Sequence, residues 1–113
     1  MDVPIHSASF SASKGAVISY TRTIAREWAQ HRIRANVVNP VVMTPIVEEV
    51  RSKMSAEERA QYEQEIDAQV PLGGKLGDIE TDLAPALLFL ASDGAKFITS
   101  QILPINGGLA YTR

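Results

Sequence analysis

Two short apolar runs, with a long stretch of helical pattern between them, constrain the fold of this chain more than any other feature. In residues 33–38 and 101–105 the apolar side chains cluster rather than alternate, as in strands that are covered on both faces. Helices that alternate with such strands predict an α/β fold with a parallel sheet. Pro104 predicts an edge position or the end of the second strand, because proline has no N–H for a central ladder.

Helical periodicity and capping residues predict four helices. They span residues 9–30, 45–53, 55–69 and 79–92. Thr44 is expected to cap the second helix and Ser55 the third, where Glu58 completes a capping box. The first helix carries an apolar stripe that is either core or interface, formed by Val17, Tyr20, Ile24 and Trp28.

The predicted sheet is small for the helices that must pack on it. A stable sheet usually has three or more strands with a covered face, and this sequence offers two. Residues 1–113 are therefore expected to form a single partial domain, the second half of a larger one.

Composition excludes several classes of function. The formal net charge of −2 gives no electrostatic reason to expect binding of nucleic acid or of an anionic membrane surface. No apolar run approaches the ~18 residues of a membrane-spanning helix, and there is no secretory signal. The absence of cysteine suits a reducing compartment, so the cytoplasm is the expected location. His6 and His31 are isolated, and the acidic residues of 57–67 read as a solvated helix face, so no metal site is expected.

The first helix opens with small residues around Phe10 and Lys14, which a four-residue spacing places one turn apart on one face. Further short motifs follow in a fixed order along the chain. They are Ser11-Ala12-Ser13-Lys14-Gly15-Ala16, Ile33-Arg34-Ala35-Asn36, Asn39-Pro40 with Thr44-Pro45, Pro71-Leu72-Gly73, and Phe97-Ile98-Thr99-Ser100-Gln101 with Asn106-Gly107-Gly108. This ordered set resembles the C-terminal half of the short-chain dehydrogenase/reductase family.

The resemblance implies a fold and a chemistry. The fold is the C-terminal part of a Rossmann-like doubly wound parallel sheet, incomplete without the N-terminal half that holds the glycine-rich phosphate loop and the catalytic serine. The chemistry is hydride transfer between NAD or NADP and an alcohol or ketone. It also implies a small-molecule substrate, and a homo-oligomer or association with another subunit of the family.

The resemblance also assigns roles to individual residues. Phe10 occupies the position of the family's catalytic tyrosine, and a phenyl ring has no proton for acid/base work. Lys14 retains the position of the catalytic lysine, which also binds the nicotinamide ribose; otherwise it is an ordinary exposed lysine. Pro40 and Thr44 match the loop that contacts the nicotinamide, but this loop has no glycine and is one residue shorter. Ser100 stands where the family commonly has glycine.

Two functions remain open on these observations. The first is an oxidoreductase of this family that is truncated and impaired, so that the isolated chain is expected to be inactive. The alternative is a non-catalytic module that docks through its long helix on a full-length relative. A third possibility is a poorly folded product without function.

Overall fold

The computed structural model describes residues 8–109. Their elements are α1 (Ala8–Glu27), a 3₁₀ turn (Ala29–His31), β1 (Val37–Pro40), α2 (Pro45–Ser52), α3 (Ala56–Gln69), a π-helical turn (Ile79–Leu83), α4 (Ala84–Ala91), a second 3₁₀ turn (Asp93–Ala95) and β2 (Ile102–Ile105). The described residues divide into two compact units. Unit one comprises residues 8–38 and 90–103, and unit two comprises residues 39–89 and 104–109. The single partial domain expected over residues 1–113 stays a prediction.

The two strands pair in parallel, which confirms the predicted α/β fold. Val37 N donates to Gln101 O at 2.8 Å, and Val41 N donates to Ile105 O at 2.9 Å. Main-chain groups point alternately to the two sides of a strand, so the odd-numbered residues of both strands face the partner. Pro104 is even-numbered, so the position at which proline lacks an N–H faces the outer edge of β2 and not the partner strand.

The first strand begins and ends later than predicted. It spans Val37–Pro40 rather than 33–38, so Pro40 lies inside it. Before Val37, side chains replace the main-chain ladder: the Asn36 amide accepts from Gln101 N and donates to Ile98 O, each at 3.1 Å. Pro40 is tolerated because its position, like that of Pro104, faces the outer edge, where the pairing of β1 with β2 needs no donor.

Two helices also differ from their predicted bounds. The first ends at Glu27 and not at residue 30, since Trp28 leads into a 3₁₀ turn that Arg32 closes in the left-handed region at φ 59°. The last, predicted over 79–92, opens as a π-helical turn in which Ala84 N donates to Ile79 O. Pro85 follows this turn and has no N–H to continue an α-helical ladder backwards. The other two helices lie within one residue of prediction, and β2 begins one residue late.

Both predicted helix caps in unit two are present. Thr44 Oγ1 accepts from Val47 N at 3.3 Å, and Ser55 Oγ accepts from Glu58 N at 3.2 Å. Arg51 then joins α2 to α3 through an ion pair with Glu63, whose Nη2 to Oε1 distance is 2.5 Å. The α2–α3 hairpin, as we call residues 45–69, is thus joined by this ion pair and by a hydrogen bond from Arg59 Nη2 to Arg51 O at 3.2 Å.

The turn after β2 in unit two requires glycine. Gly107 has φ +60°, and a Cβ there would lie 2.6 Å from Val70 Cγ1. The close approach lets Leu72 N donate to Gly107 O at 2.9 Å. Val70 is thereby buried, as is Val42 in the same unit.

Arg34 is half-buried and links two segments of unit one. Arg34 Nη2 donates to Leu90 O at 2.7 Å, and Nη1 donates to Ile98 O at 3.2 Å. The first of these carbonyls lies in the last turn of α4, where a cation also complements the helix dipole. In the same unit, Ser100 has φ 61°, a backbone conformation that favours glycine.

Large apolar side chains remain exposed in both units. Among the described residues, no large side chain is fully buried. The stripe on α1 lies mostly in solvent: the exposed fraction is 50% for Val17, 63% for Tyr20 and 39% for Trp28. The stripe is therefore not core within residues 8–109.

Candidate functional site

Phe10 and Lys14 lie on one face of α1 in unit one. Lys14 Nζ stands 5.4 Å from the centroid of the Phe10 ring, within the range of a cation–π contact. Both side chains are exposed, Phe10 to 62%. The pair therefore has the spacing predicted from the sequence, and the lysine ammonium faces an aromatic ring without a hydroxyl.

No other side chain of α1 takes the place of a phenol at this point. Ser13 lies one turn from Phe10, and its Oγ donates to Phe10 O at 2.8 Å. Tyr20 is ten residues beyond Phe10, about 15 Å along the helix. General acid/base catalysis needs a titratable group within ~3 Å of the reacting oxygen, and neither residue meets that condition at Phe10.

Pro40 and Thr44 lie in unit two, on either side of an extended segment. Met43 N donates to Gly77 O at 2.8 Å, and Gly77 N donates to Val41 O at 3.1 Å. Positive φ values at non-glycine residues occur only at Arg32 and Ser100 within residues 8–109. The segment after Pro40 thus follows an ordinary extended path that valine adopts easily, and needs no glycine.

Thr44 has its oxygen committed to α2 and stands beside acidic side chains. It lines an open groove of about 750 Å³ that also contains Glu48, Glu49, Asp78 and Glu80. Hydrogen bonds from the main chain and the hydroxyl of Thr81, and from Glu80 N, hold the pKa of the Asp78 carboxyl below its ordinary value. Four acidic side chains line this groove, one of them paired with Lys53, and this lining disfavours a phosphate group.

The candidate residues thus fall into two sets. Phe10 and Lys14 come together in unit one, and Pro40 and Thr44 in unit two. The acidic groove was not foreseen, because Asp78 and Glu80 are distant in sequence from Glu48. Arg34 stands in one of the motifs named from the sequence, but its hydrogen bonds to Leu90 O and Ile98 O were not foreseen. Arg51 belongs to no local pattern and was missed.

Metal sites and membrane-spanning helices were not expected from the sequence. Within residues 8–109, no group of three or more histidine and acidic side chains is arranged to hold a metal ion. His31 lies exposed in the first 3₁₀ turn, and His6 lies outside the described residues. None of the helices between residues 8 and 109 combines the length and the apolarity needed to cross a membrane.

Comparison with known proteins places the chain in a family. A family profile described as "Enoyl-(Acyl carrier protein) reductase" matches residues 3–110. The "Glucose and ribitol dehydrogenase homolog" of Oryza sativa subsp. japonica is 36% identical over 101 residues, which are 88% of this chain and 31% of that protein. The "3-oxoacyl-[acyl-carrier-protein] reductase FabG" of Thermotoga maritima is 39% identical over 102 residues, which are 89% of this chain and 37% of that protein.

A solved structure gives the same result for the fold. The crystal structure of an oxidoreductase of the short chain dehydrogenase/reductase family from Burkholderia thailandensis superposes with a TM-score of 0.72 at 36% identity, covering 90% of this chain and 37% of that one. The predicted Rossmann-like α/β class is thereby confirmed. The chain spans about a third of the length of the curated relatives described above. Its sequence and its fold agree, and the chain belongs to the short-chain dehydrogenase/reductase family.

Proposed function

We propose that this chain belongs to an NAD(P)-linked oxidoreductase in which hydride exchange between an alcohol and a ketone is impaired at the proton-transfer step. The observation that carries the proposal is Phe10, whose ring stands where the resemblance implies a phenol and packs against Lys14. A phenyl ring neither donates nor accepts a proton. The loss of general acid/base catalysis typically slows such a step by about 10²–10⁴-fold.

The residues proposed for cofactor binding fit a dinucleotide unequally. Lys14 is exposed and can donate hydrogen bonds to ribose hydroxyls. The Thr44 hydroxyl can still donate its proton, although its oxygen already accepts from Val47 N. The groove around Thr44 carries four carboxylates, and the 113 residues contain no G-x-G-x-x-G phosphate loop. A bound nicotinamide would supply the hydride, while these residues could only orient it.

The first prediction concerns these 113 residues in isolation. Because the groove at Thr44 repels phosphate and no phosphate loop is present, NAD(H) and NADP(H) are expected to bind with Kd above about 1 mM, a binding free energy weaker than about −4 kcal/mol. Titration calorimetry on the purified chain measures this. Binding at micromolar Kd would contradict the claim that the chain is inactive alone.

The substrate is proposed only as a small molecule with an alcohol or ketone group. The relatives named above are a glucose and ribitol dehydrogenase homolog and a 3-oxoacyl reductase, and both names refer to compounds with an alcohol or ketone group. We also propose a homo-oligomer in the cytoplasm, supported by the exposed stripe on α1 and by the absence of cysteine.

A second candidate function is a non-catalytic module that associates with another subunit of the family. The favouring observation is again the α1 stripe of Val17, Tyr20 and Trp28, since apolar surface that is left exposed in one chain marks contact surfaces.

The module hypothesis predicts that the chain co-purifies with a full-length relative when the two are co-expressed. The double substitution Val17→Lys and Tyr20→Lys is expected to abolish co-purification, because it puts two charges on the contact surface. The matched control Arg22→Lys leaves the stripe unchanged and should not affect it. Failure of the wild-type chain to co-purify would refute the hypothesis.

A further inference from the structure

The turn after β2 in unit two carries an asparagine, Asn106, directly before Gly107. Asn106 Oδ1 accepts from Gly108 N at 3.0 Å, and Asn106 O accepts from Leu109 N at 3.1 Å. An asparagine that is followed by glycine is prone to lose its side-chain amide. The reason is that the next main-chain nitrogen can attack the amide carbon, and glycine has no Cβ to hinder it.

The fold itself requires glycine at the position that makes this asparagine reactive. Gly107 has φ +60°, and a Cβ there would lie 2.6 Å from Val70 Cγ1. A side chain at position 107, which would shield the attacking nitrogen, is thus opposed by both the backbone conformation and the packing. Gly108 has φ +90° and is exposed, so neither residue after Asn106 shields the amide with a side chain.

Two features of the turn favour attack on the amide carbon of Asn106. Gly107 N donates no hydrogen bond to any of residues 8–109, so it can lose its proton without breaking an internal hydrogen bond. Gly108 N already donates to Asn106 Oδ1, the oxygen that becomes an oxyanion when the amide carbon is attacked. A main-chain donor that is in place before the reaction stabilises such a charge without reorganisation.

Water, the other reactant, has access to the same amide. Asn106 is half-buried and lines a cavity of about 360 Å³ within unit two. A cavity of this size holds several water molecules, and Lys75 and Asp82 in its wall give them polar partners. The reaction needs no further co-reactant.

We propose that Asn106 is a site of spontaneous deamidation in the folded chain. Gly107 N forms a bond to Asn106 Cγ, the bond from Cγ to Nδ2 breaks, and ammonia leaves with the proton that Gly107 N gives up. One water molecule then opens the five-membered imide at either of its two carbonyl carbons, leaving aspartate or isoaspartate. The site does not depend on dinucleotide binding and remains if the chain is catalytically silent.

The two products have different effects on the turn. Aspartate keeps an oxygen that accepts from Gly108 N, and adds a negative charge to the cavity that Asp82 also lines. Isoaspartate puts a methylene group into the main chain before Gly107, which shifts Gly107 O from its position 2.9 Å from Leu72 N. The isoaspartate form is therefore expected to have the lower Tm, which melting curves of the two separated forms measure.

The other two asparagines of the chain serve as internal controls. Asn36 precedes Val37, whose main-chain nitrogen already donates to Gln101 O at 2.8 Å and whose branched side chain hinders attack. Asn39 precedes Pro40, which has no N–H to lose. Asn39 is exposed whereas Asn106 is half-buried, so exposure alone would give the opposite order of reactivity.

Peptide mass spectrometry of the purified 113-residue chain, incubated at neutral pH and physiological temperature, tests the proposal. The peptide with Asn106 is expected to change from the mass of an amide to that of an acid at least about tenfold faster than the peptide with Asn36 and Asn39. Hydroxylamine, which cleaves the imide, should cut the chain between residues 106 and 107. Asn106→Gln should remove both signals, because its amide carbon lies one bond further from Gly107 N.

The same chain unfolded in guanidinium chloride isolates the contribution of the fold. Because the native turn holds Gly108 N against Asn106 Oδ1, deamidation of the folded chain is expected to be at least as fast as that of the unfolded chain. The proposal would be overturned by an intact Asn106 in the incubated folded chain, by equal rates at Asn106 and Asn39, or by a slower reaction in the folded chain than in the unfolded one.

Discussion

A hybrid enzyme in which this chain replaces the aligned 102-residue segment of the Thermotoga maritima reductase is expected to turn over at least about a hundredfold more slowly than the parent. Phe10→Tyr in the hybrid should recover that factor, because it restores a phenol one turn from Lys14 on the face where the two side chains already meet. The measurement is kcat with the parent's own substrate, beside a melting curve and a dinucleotide-binding titration for each protein. The melting curves and titrations establish whether the hybrids fold equally well and bind dinucleotide equally tightly.

Two comparisons make the result specific to the acid/base step. Tyr20→Phe removes a phenol from the same helix, about 15 Å away, and should leave kcat unchanged. The pH dependence of the Phe10→Tyr hybrid should also gain an ionisation that the Phe10 hybrid lacks. Equal turnover with Phe10 and Tyr at this position, while both hybrids bind dinucleotide, would show that Phe10 is not the cause of impairment.

The largest effect on stability is expected at Arg34. Its guanidinium donates to Leu90 O and Ile98 O, and Arg34→Ala leaves both part-buried carbonyls without that partner. Hydrogen bonds from a charged donor contribute about 1.5–3 kcal/mol each, so the free energy of unfolding should fall by about 3 kcal/mol. Urea denaturation followed by circular dichroism measures the change. In a domain of ordinary stability this is a large fraction of the total.

Two further variants distinguish the contribution of the two guanidinium hydrogen bonds of Arg34 from that of its positive charge. Arg34→Lys keeps the positive charge near the end of α4 but reaches only one carbonyl well, so about half of the loss is expected. Arg22→Ala removes an exposed arginine of α1 and should change the free energy of unfolding by less than about 0.5 kcal/mol. If Arg34→Ala lowered the free energy of unfolding no more than Arg22→Ala, the structural role assigned to the Arg34 guanidinium would be wrong.

The predictable part of the fold rests on local pattern. Helices α2 and α3 lie within one residue of prediction because Thr44 and Ser55 cap them within a few residues of themselves. The start of β1 was wrong because Asn36 makes its hydrogen bonds to residues more than sixty positions away. The π-helical opening before α4 likewise depends on backbone pairing that apolar spacing does not encode.

The candidate site likewise has one part that local spacing predicts and another that depends on the fold. A four-residue spacing suffices to place Phe10 and Lys14 on one face, and the contact between them follows. The acidic surroundings of Thr44 depend on Asp78 and Glu80, which reach the groove only through the fold. Sequence thus identified the pair on α1 and missed the electrostatics of unit two.

The two prolines at even-numbered strand positions bear on self-association. An exposed strand edge with a full row of N–H groups can recruit an extended segment from another molecule and so initiate aggregation. Pro40 and Pro104 each remove a donor from the outward-facing side of a strand, so a strand arriving at either edge would find an incomplete ladder. Each proline thus makes one edge of this short sheet a poorer partner for an extended segment of another molecule, without removing the other main-chain groups of that edge.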